Sequence, residues 1–516
     1  MVFVSKRKPP PALSRVAMVL TTLLLVLPAV TQAAHHADKS ESTDSALRDY
    51  AGLGAISFPN SGAPEAQDAF YRGVLLMHSF EFTQAAEAFR EAQAIDPDFA
   101  LAYWGEAMTY NHPLWRQHDA ARGAGTLARL AATTTARRAK AGSERERMYL
   151  DAVEILYDFE GTKSARDNAY MEAMASLVAA FPDDDEARTF YALSILGSVD
   201  GSRDFATYMR AAAQALPVFE RNPRHPGAAH YIIHAFDDPI HAPLGLPAAL
   251  AYADIAPDAA HAQHMTSHIF LASGMWEQTV AANERAHTVQ NADFAARGRP
   301  ANVCGHYSSW LHYAHLQLGQ VQQAEALMDR CHERVQDDAT SSEWAYFVSM
   351  RARQILDTDN AEWIERWRVS AQRIPGGGYD WGYGSPAFKH RVVEAMAGLQ
   401  MGNTGKAREL LERRGPEATG AALQLDQVAG MLALHDGDIE RGLSLLRQAA
   451  EAEAELPLEF GPPGTAMPTH EALGSALLAQ GRFPEAGDAY RSALARTPGR
   501  LPALRGLAAA DAGLAD

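Results

Sequence analysis

From Ala66 onward, apolar positions recur at the three-and-four spacing of a helix with one buried face. Alternating β-branched segments bounded by turn residues do not occur at useful length, so strands are not expected. The helices come in pairs. Gly73, Ala85, Phe89, Ala92 and Pro97 mark a helix, a short turn and a second helix stopped at Asp96-Pro97. Small residues let the two helices touch, the aromatic ring fills the space between hairpins, and proline ends the second helix. Gly474, Ala486, Tyr490, Ala493 and Pro498 repeat that spacing without a gap.

Weaker copies lie between these two: Gly319/Ala324/Met328, Gly402/Ala407/Leu411 and Gly437/Gly442/Leu446. Pro223 and Pro257 end two second helices 34 positions apart. They bracket a unit with helices over 227–236 and 244–255, and the next unit has helices near 258–271 and 276–290. Roughly nine or ten hairpins fit in the chain. Two breaks interrupt the series. Pro375 to Pro386 is a glycine-rich loop with three aromatics, read as a surface connection with a lid as the alternative. Leu456–Thr469 is read as an insertion that separates two repeats.

The double match resembles the tetratricopeptide repeat (TPR) and covers about 66–510. The resemblance implies an all-α chain, an α-α superhelix of antiparallel hairpins, whose first helices line a concave groove that takes protein or peptide. The expected division is 66–300 and 301–516, both TPR-like. The chain also resembles a group of exported bacterial TPR proteins that carry similar H-Y-x-I-H-A and H-M-x-S-H-I segments. Peptide-binding members of the repeat family grip a carboxylate with lysine, arginine and asparagine. The corresponding places here hold histidine and aspartate, which speaks against carboxylate clamping.

The N-terminus departs from the helical pattern. Lys6, Arg7, Lys8 and Arg15 precede an apolar run from Val16 to Val30, followed by Thr31-Gln32-Ala33. This describes a secretory signal peptide over 1–33 and a periplasmic or secreted product. The run is short for a membrane span, so no integral membrane segment is expected afterwards. A polar linker is expected over 34–65. Removing 1–33 leaves 42 basic against 63 acidic residues, a net charge of −21. A surface that acidic repels nucleic acid and anionic lipid, and neither is expected as a partner. The sequence does not fix the oligomeric state. Cys304 and Cys331 sit at the outer ends of helices expected over 305–318 and 320–333, where a hairpin would bring them together as a disulfide.

Candidate chemistry is concentrated between His225 and His268, which hold seven of the 20 histidines. His230/His234 and His264/His268 are i,i+4 pairs, the second 34 positions after the first. His230, His234 and Asp237 share one helix face, and His261, His264 and His268 share another. Stacked repeats would place these faces together, so that their imidazoles meet on one ion. Nitrogen donors suit zinc or copper, with iron or nickel next, and suit calcium or magnesium poorly. Phe236, Ile269 and Phe270 would supply apolar surroundings.

The competing reading is a protein-interaction scaffold with structural histidines, or a pH-responsive binding face. His241 and His306 are outer candidates, and His225 is expected to be exposed. Asn283 stands where Phe89 and Tyr490 stand in the strong repeats, and is expected to hydrogen-bond a histidine from behind. Trp104, His112 and Trp115 read as packing of the second repeat. Were the site catalytic, Asp237 or Asp238 would be the base and Tyr231 or Tyr313 a proton donor. No H-E-x-x-H, G-x-S-x-G, P-loop or C-x-x-C-H pattern occurs.

Overall fold

The computed structural model describes residues 47–514, apart from 159, 378–381 and 416. The proposed signal peptide, the first part of the expected linker, and Tyr379 and Trp381 of the glycine-rich loop lie outside the described residues.

The chain is all-α, a superhelix of antiparallel hairpins from Gln67–His78 to Leu501–Gly513. Among the described residues strands are confined to two minimal hairpins, Arg48–Tyr50 with Gly54–Ile56 and Asn111–His112 with Gln117–His118. Among the described residues no helix is long and apolar enough to cross a membrane.

The repeat spacing has a direct steric cause. The Phe89 ring lies between Gly73 and Gly105, where an added Cβ would come within 2.8 Å and 2.3 Å of it. Tyr490 lies in the same way between Gly474 and Gly506, at 2.9 Å and 2.1 Å. One aromatic knob therefore requires a glycine on its own hairpin and another on the next. The unit that carries the first histidine pair has helices Pro226–Phe236 and Ala242–Ile255, and the next has Ala260–Ala272 and Trp276–Ala296.

Two departures from the sequence reading matter for the site. The described part of the expected linker is folded: Ile56 and Phe58 are fully buried, and Asn222 Nδ2 donates to the Ala55 carbonyl at 2.7 Å. Phe58 packs against Phe70, Trp104 and Tyr149, so an apolar pair inside a polar stretch outweighs the stretch's composition. The insertion 456–469 does more than separate repeats, because it brings Phe460 to 5.1 Å from the ring of His268. Successive turns also touch: Trp276 Nε1 donates to the Gly499 carbonyl at 2.8 Å, and buried Arg500 joins Asp357 and Glu471. Cys304 and Cys331 are bridged, tying the start of helix His306–Gln317 to helix Val321–Arg334.

Candidate metal centre

Helix Pro226–Phe236 starts with proline in its first turn, and His225 caps it by accepting from the Ala228 N–H at 3.2 Å. The cap and the ring of Pro226 fix where His230 and His234 emerge. Every residue of this helix and of Ala260–Ala272 is buried, so their imidazoles face protein on all sides rather than an open groove.

His264 Nε2 lies 3.2 Å from His268 Nε2 and 2.9 Å from His306 Nε2. Each outer nitrogen has its own partner. His264 Nδ1 is 2.7 Å from Asn283 Oδ1, and Asn283 Nδ2 donates to the Thr279 carbonyl at 2.8 Å. That donation orients the carboxamide, so Asn283 Oδ1 accepts and His264 Nδ1 carries the proton. Ser267 Oγ, 3.5 Å from the same nitrogen, donates to the His264 carbonyl at 2.6 Å. His268 Nδ1 donates to Asp237 Oδ2 at 2.9 Å, and His306 Nδ1 faces the Tyr346 hydroxyl at 3.4 Å.

With both Nδ1 atoms engaged in this way, the Nε2 atoms of His264 and His268 are turned toward one another. Adding a second proton to His264 is opposed by burial and by His306 and His268, which hold it well below the usual histidine range. His306 is pushed down to about 3, by burial first and then by His268. Three imidazole Nε2 atoms turned toward one another are potential donors for a cation. Tetrahedral ligands about 2.0–2.1 Å from zinc stand about 3.3 Å apart, close to the separations found here.

A second set adjoins the first. His230, His234 and His261 place ring nitrogens within 4.8 Å of one another. His230 Nδ1 donates to the His78 carbonyl at 2.6 Å, and His234 Nδ1 lies 3.4 Å from Asp237 Oδ2. Burial, reinforced by the neighbouring imidazoles, holds His230 and His261 well below the usual histidine range. Asp237 therefore stands behind two histidines, one in each set. Burial favours its neutral form, but the Arg203 guanidinium and both imidazoles outweigh it and hold the carboxyl well below the usual carboxylate range.

The surroundings differ from those expected. Trp310 lies 4.6 Å from His268 and 4.8 Å from His264, Tyr307 is 4.9 Å from His264, and Phe80 is 4.3 Å from His230. Phe236 and Ile269 instead pack where helix Ala242–Ile255 approaches at Gly245. His306 belongs to the first set. Sequence spacing missed it because the long helix Trp276–Ala296 and its connector displace it from the 34-residue period. His241 is held by Asp238 at 2.9 Å, outside both sets.

His225 is 1% exposed, not on the surface, with Nε2 3.1 Å from Glu186 Oε1. Glu186 also accepts from His78 Nε2 at 2.8 Å; its burial would raise it, but His225 and His78 bring its carboxyl down to about 2. Two of the acid–base residues expected of a catalyst are committed elsewhere: the Tyr231 hydroxyl to His78 at 3.1 Å, and the Tyr313 hydroxyl to Arg500 at 3.3 Å. Trp104 is core, as the sequence suggests.

No family model and no curated protein matches the chain. Among solved structures it is similar to the APC/C hetero-tetramer Cut9-Hcn1, at 12% identity over 88% of this chain and 78% of that one, with a TM-score of 0.36. It is similar also to yeast Tom70, at 10% identity over 87% and 89% of the two chains (TM-score 0.31), and to a human IFIT1 dimer with m7Gppp-AAAA, at 12% identity over 87% and 90% (TM-score 0.37).

Proposed function

We propose that this helical-repeat protein binds a transition-metal ion, zinc or copper first, on the Nε2 atoms of His264, His268 and His306. Three protein ligands leave a fourth tetrahedral position for water or a small ligand, the arrangement that permits a metal-dependent reaction as well as storage or transfer. The observation that carries the reading is the facing pair His264 and His268. Asn283 and Asp237 fix protons on their outer nitrogens, so two Nε2 atoms face each other 3.2 Å apart inside the protein. A cation between them would be bound by both nitrogens. Asp237 and Asn283 orient the ligands, which moves Asp237 from the ligand set expected from sequence to a supporting place behind it. The disulfide fits an exported protein and supports assigning 1–33 to a signal peptide and the mature chain to an oxidising compartment.

Elemental analysis of tag-free protein purified from its export compartment tests this. Bound zinc or copper, lost in His264→Ala and in His268→Ala while the helical spectrum stays, is the expected result. A metal-free, folded wild-type chain that takes up neither ion would leave a repeat scaffold with structural histidines.

A further inference from the structure

The set formed by His230, His234 and His261 is not needed for the ion just described, yet three of its nitrogens have no other use. His230 Nε2, His234 Nε2 and His261 Nε2 are each buried without a hydrogen-bond partner. Their residues are 0%, 8% and 9% exposed. A buried polar atom left unpaired is costly, and three sharing one small space are hard to explain as core packing alone. At His230 the cause is visible: its Nδ1–H goes to the His78 carbonyl, which leaves Nε2 with a bare lone pair. His78 is itself held by Glu186 and Tyr231, so this carbonyl belongs to a rigid buried network.

We infer that His230, His234 and His261 bind a second transition-metal ion, so that the six histidines form a dinuclear centre with three imidazoles on each metal. The inference rests on the first site being a metal site. The two sets are adjoining: ring centroids are 5.6 Å apart for His234 and His268, and 6.0 Å for His261 and His264. Asp237 ties them through one carboxylate oxygen, 2.9 Å from His268 Nδ1 and 3.4 Å from His234 Nδ1. A six-imidazole donor set suits copper, zinc, nickel or iron rather than magnesium or calcium. Ions bound in adjoining sets would share a small bridging oxygen donor such as hydroxide.

The test is the zinc content of apo full-length chain after equilibrium dialysis against zinc, for wild type, His306→Ala and His230→Gln/His261→Gln. Two equivalents in wild type and one in each variant are expected. One equivalent in wild type, lost only in His306→Ala, overturns the second site and leaves the first standing. No zinc in wild type removes both. Two equivalents retained by His230→Gln/His261→Gln would place the second ion elsewhere and overturn the inference. Copper(II) in wild type gives a readout that needs no variant. At two equivalents the paramagnetic resonance spectrum should be spin-coupled or nearly silent, and two ordinary isolated copper signals would contradict it.

Discussion

Asn283 shows how much one polar residue can decide. It occupies the place where Phe89 and Tyr490 act as apolar knobs, is itself fully buried, and spends both ends of its carboxamide, one on Thr279 and one on His264. An aromatic ring there would fill the same space and leave His264 free to choose either tautomer. Replacement by leucine should therefore lower zinc affinity by about 10–100-fold, measured by competition with a chromophoric chelator, with the unfolding midpoint of the apo chain changing far less. Equal affinities for Asn283→Leu and wild type would remove the orienting role. The role was legible in the sequence because a polar residue at a packing position needs a buried partner. Which histidine would answer it was left open there.

At the scale of helices, hairpin positions were readable because steric rules repeat: the glycine, aromatic and proline of Gly73, Phe89 and Pro97 return in Gly474, Tyr490 and Pro498. Contacts made by irregular segments were not readable. Phe460 reaches His268 from an insertion, and His306 joins the first set although an inserted stretch shifts it out of period. No local pattern encodes either. The same helix His306–Gln317 carries a titration remote from the proposed ligands. His312 is buried, donates from Nε2 to Gln354 Oε1 at 2.9 Å, and is pushed down to about 4 by burial, against the opposing pull of Gln354 and Asp357. Its folded value lies below the unfolded value of about 6.5, so the unfolded chain binds the proton first. Its contribution is complete above about pH 6.5 and is lost as pH falls toward 4, by an amount on the order of 3 kcal/mol. In denaturant titrations of the apo chain, His312→Gln should show a shallower loss of stability over that window. An unchanged slope would contradict the assignment.

At the scale of the whole molecule, the last hairpin returns to the middle of the chain. Arg500 is 1% exposed and meets Asp357, with Nη1 2.8 Å from Oδ2, together with Glu471 and the Tyr313 hydroxyl. The neighbouring Gly499 carbonyl holds Trp276, which shares with Leu271 and Trp310 the apolar cluster beside His268 against which Phe460 packs. The wall around the histidines is thus assembled from sequence-distant turns. Arg500→Leu leaves Asp357 and Glu471 buried without their cation and should cost about 3–5 kcal/mol, seen as an earlier unfolding midpoint. A cost below about 1 kcal/mol would mean that these carboxylates find water or take up protons instead.

The claim on which the rest depends is that sequence-distant imidazoles are arranged around a cation. X-ray absorption at the metal edge, on full-length protein loaded with one equivalent of zinc, reads that arrangement directly. A four-coordinate shell dominated by imidazole nitrogen at about 2.0–2.1 Å is the expected result. A shell of six oxygens, as for hydrated zinc held loosely at the acidic surface, would contradict it.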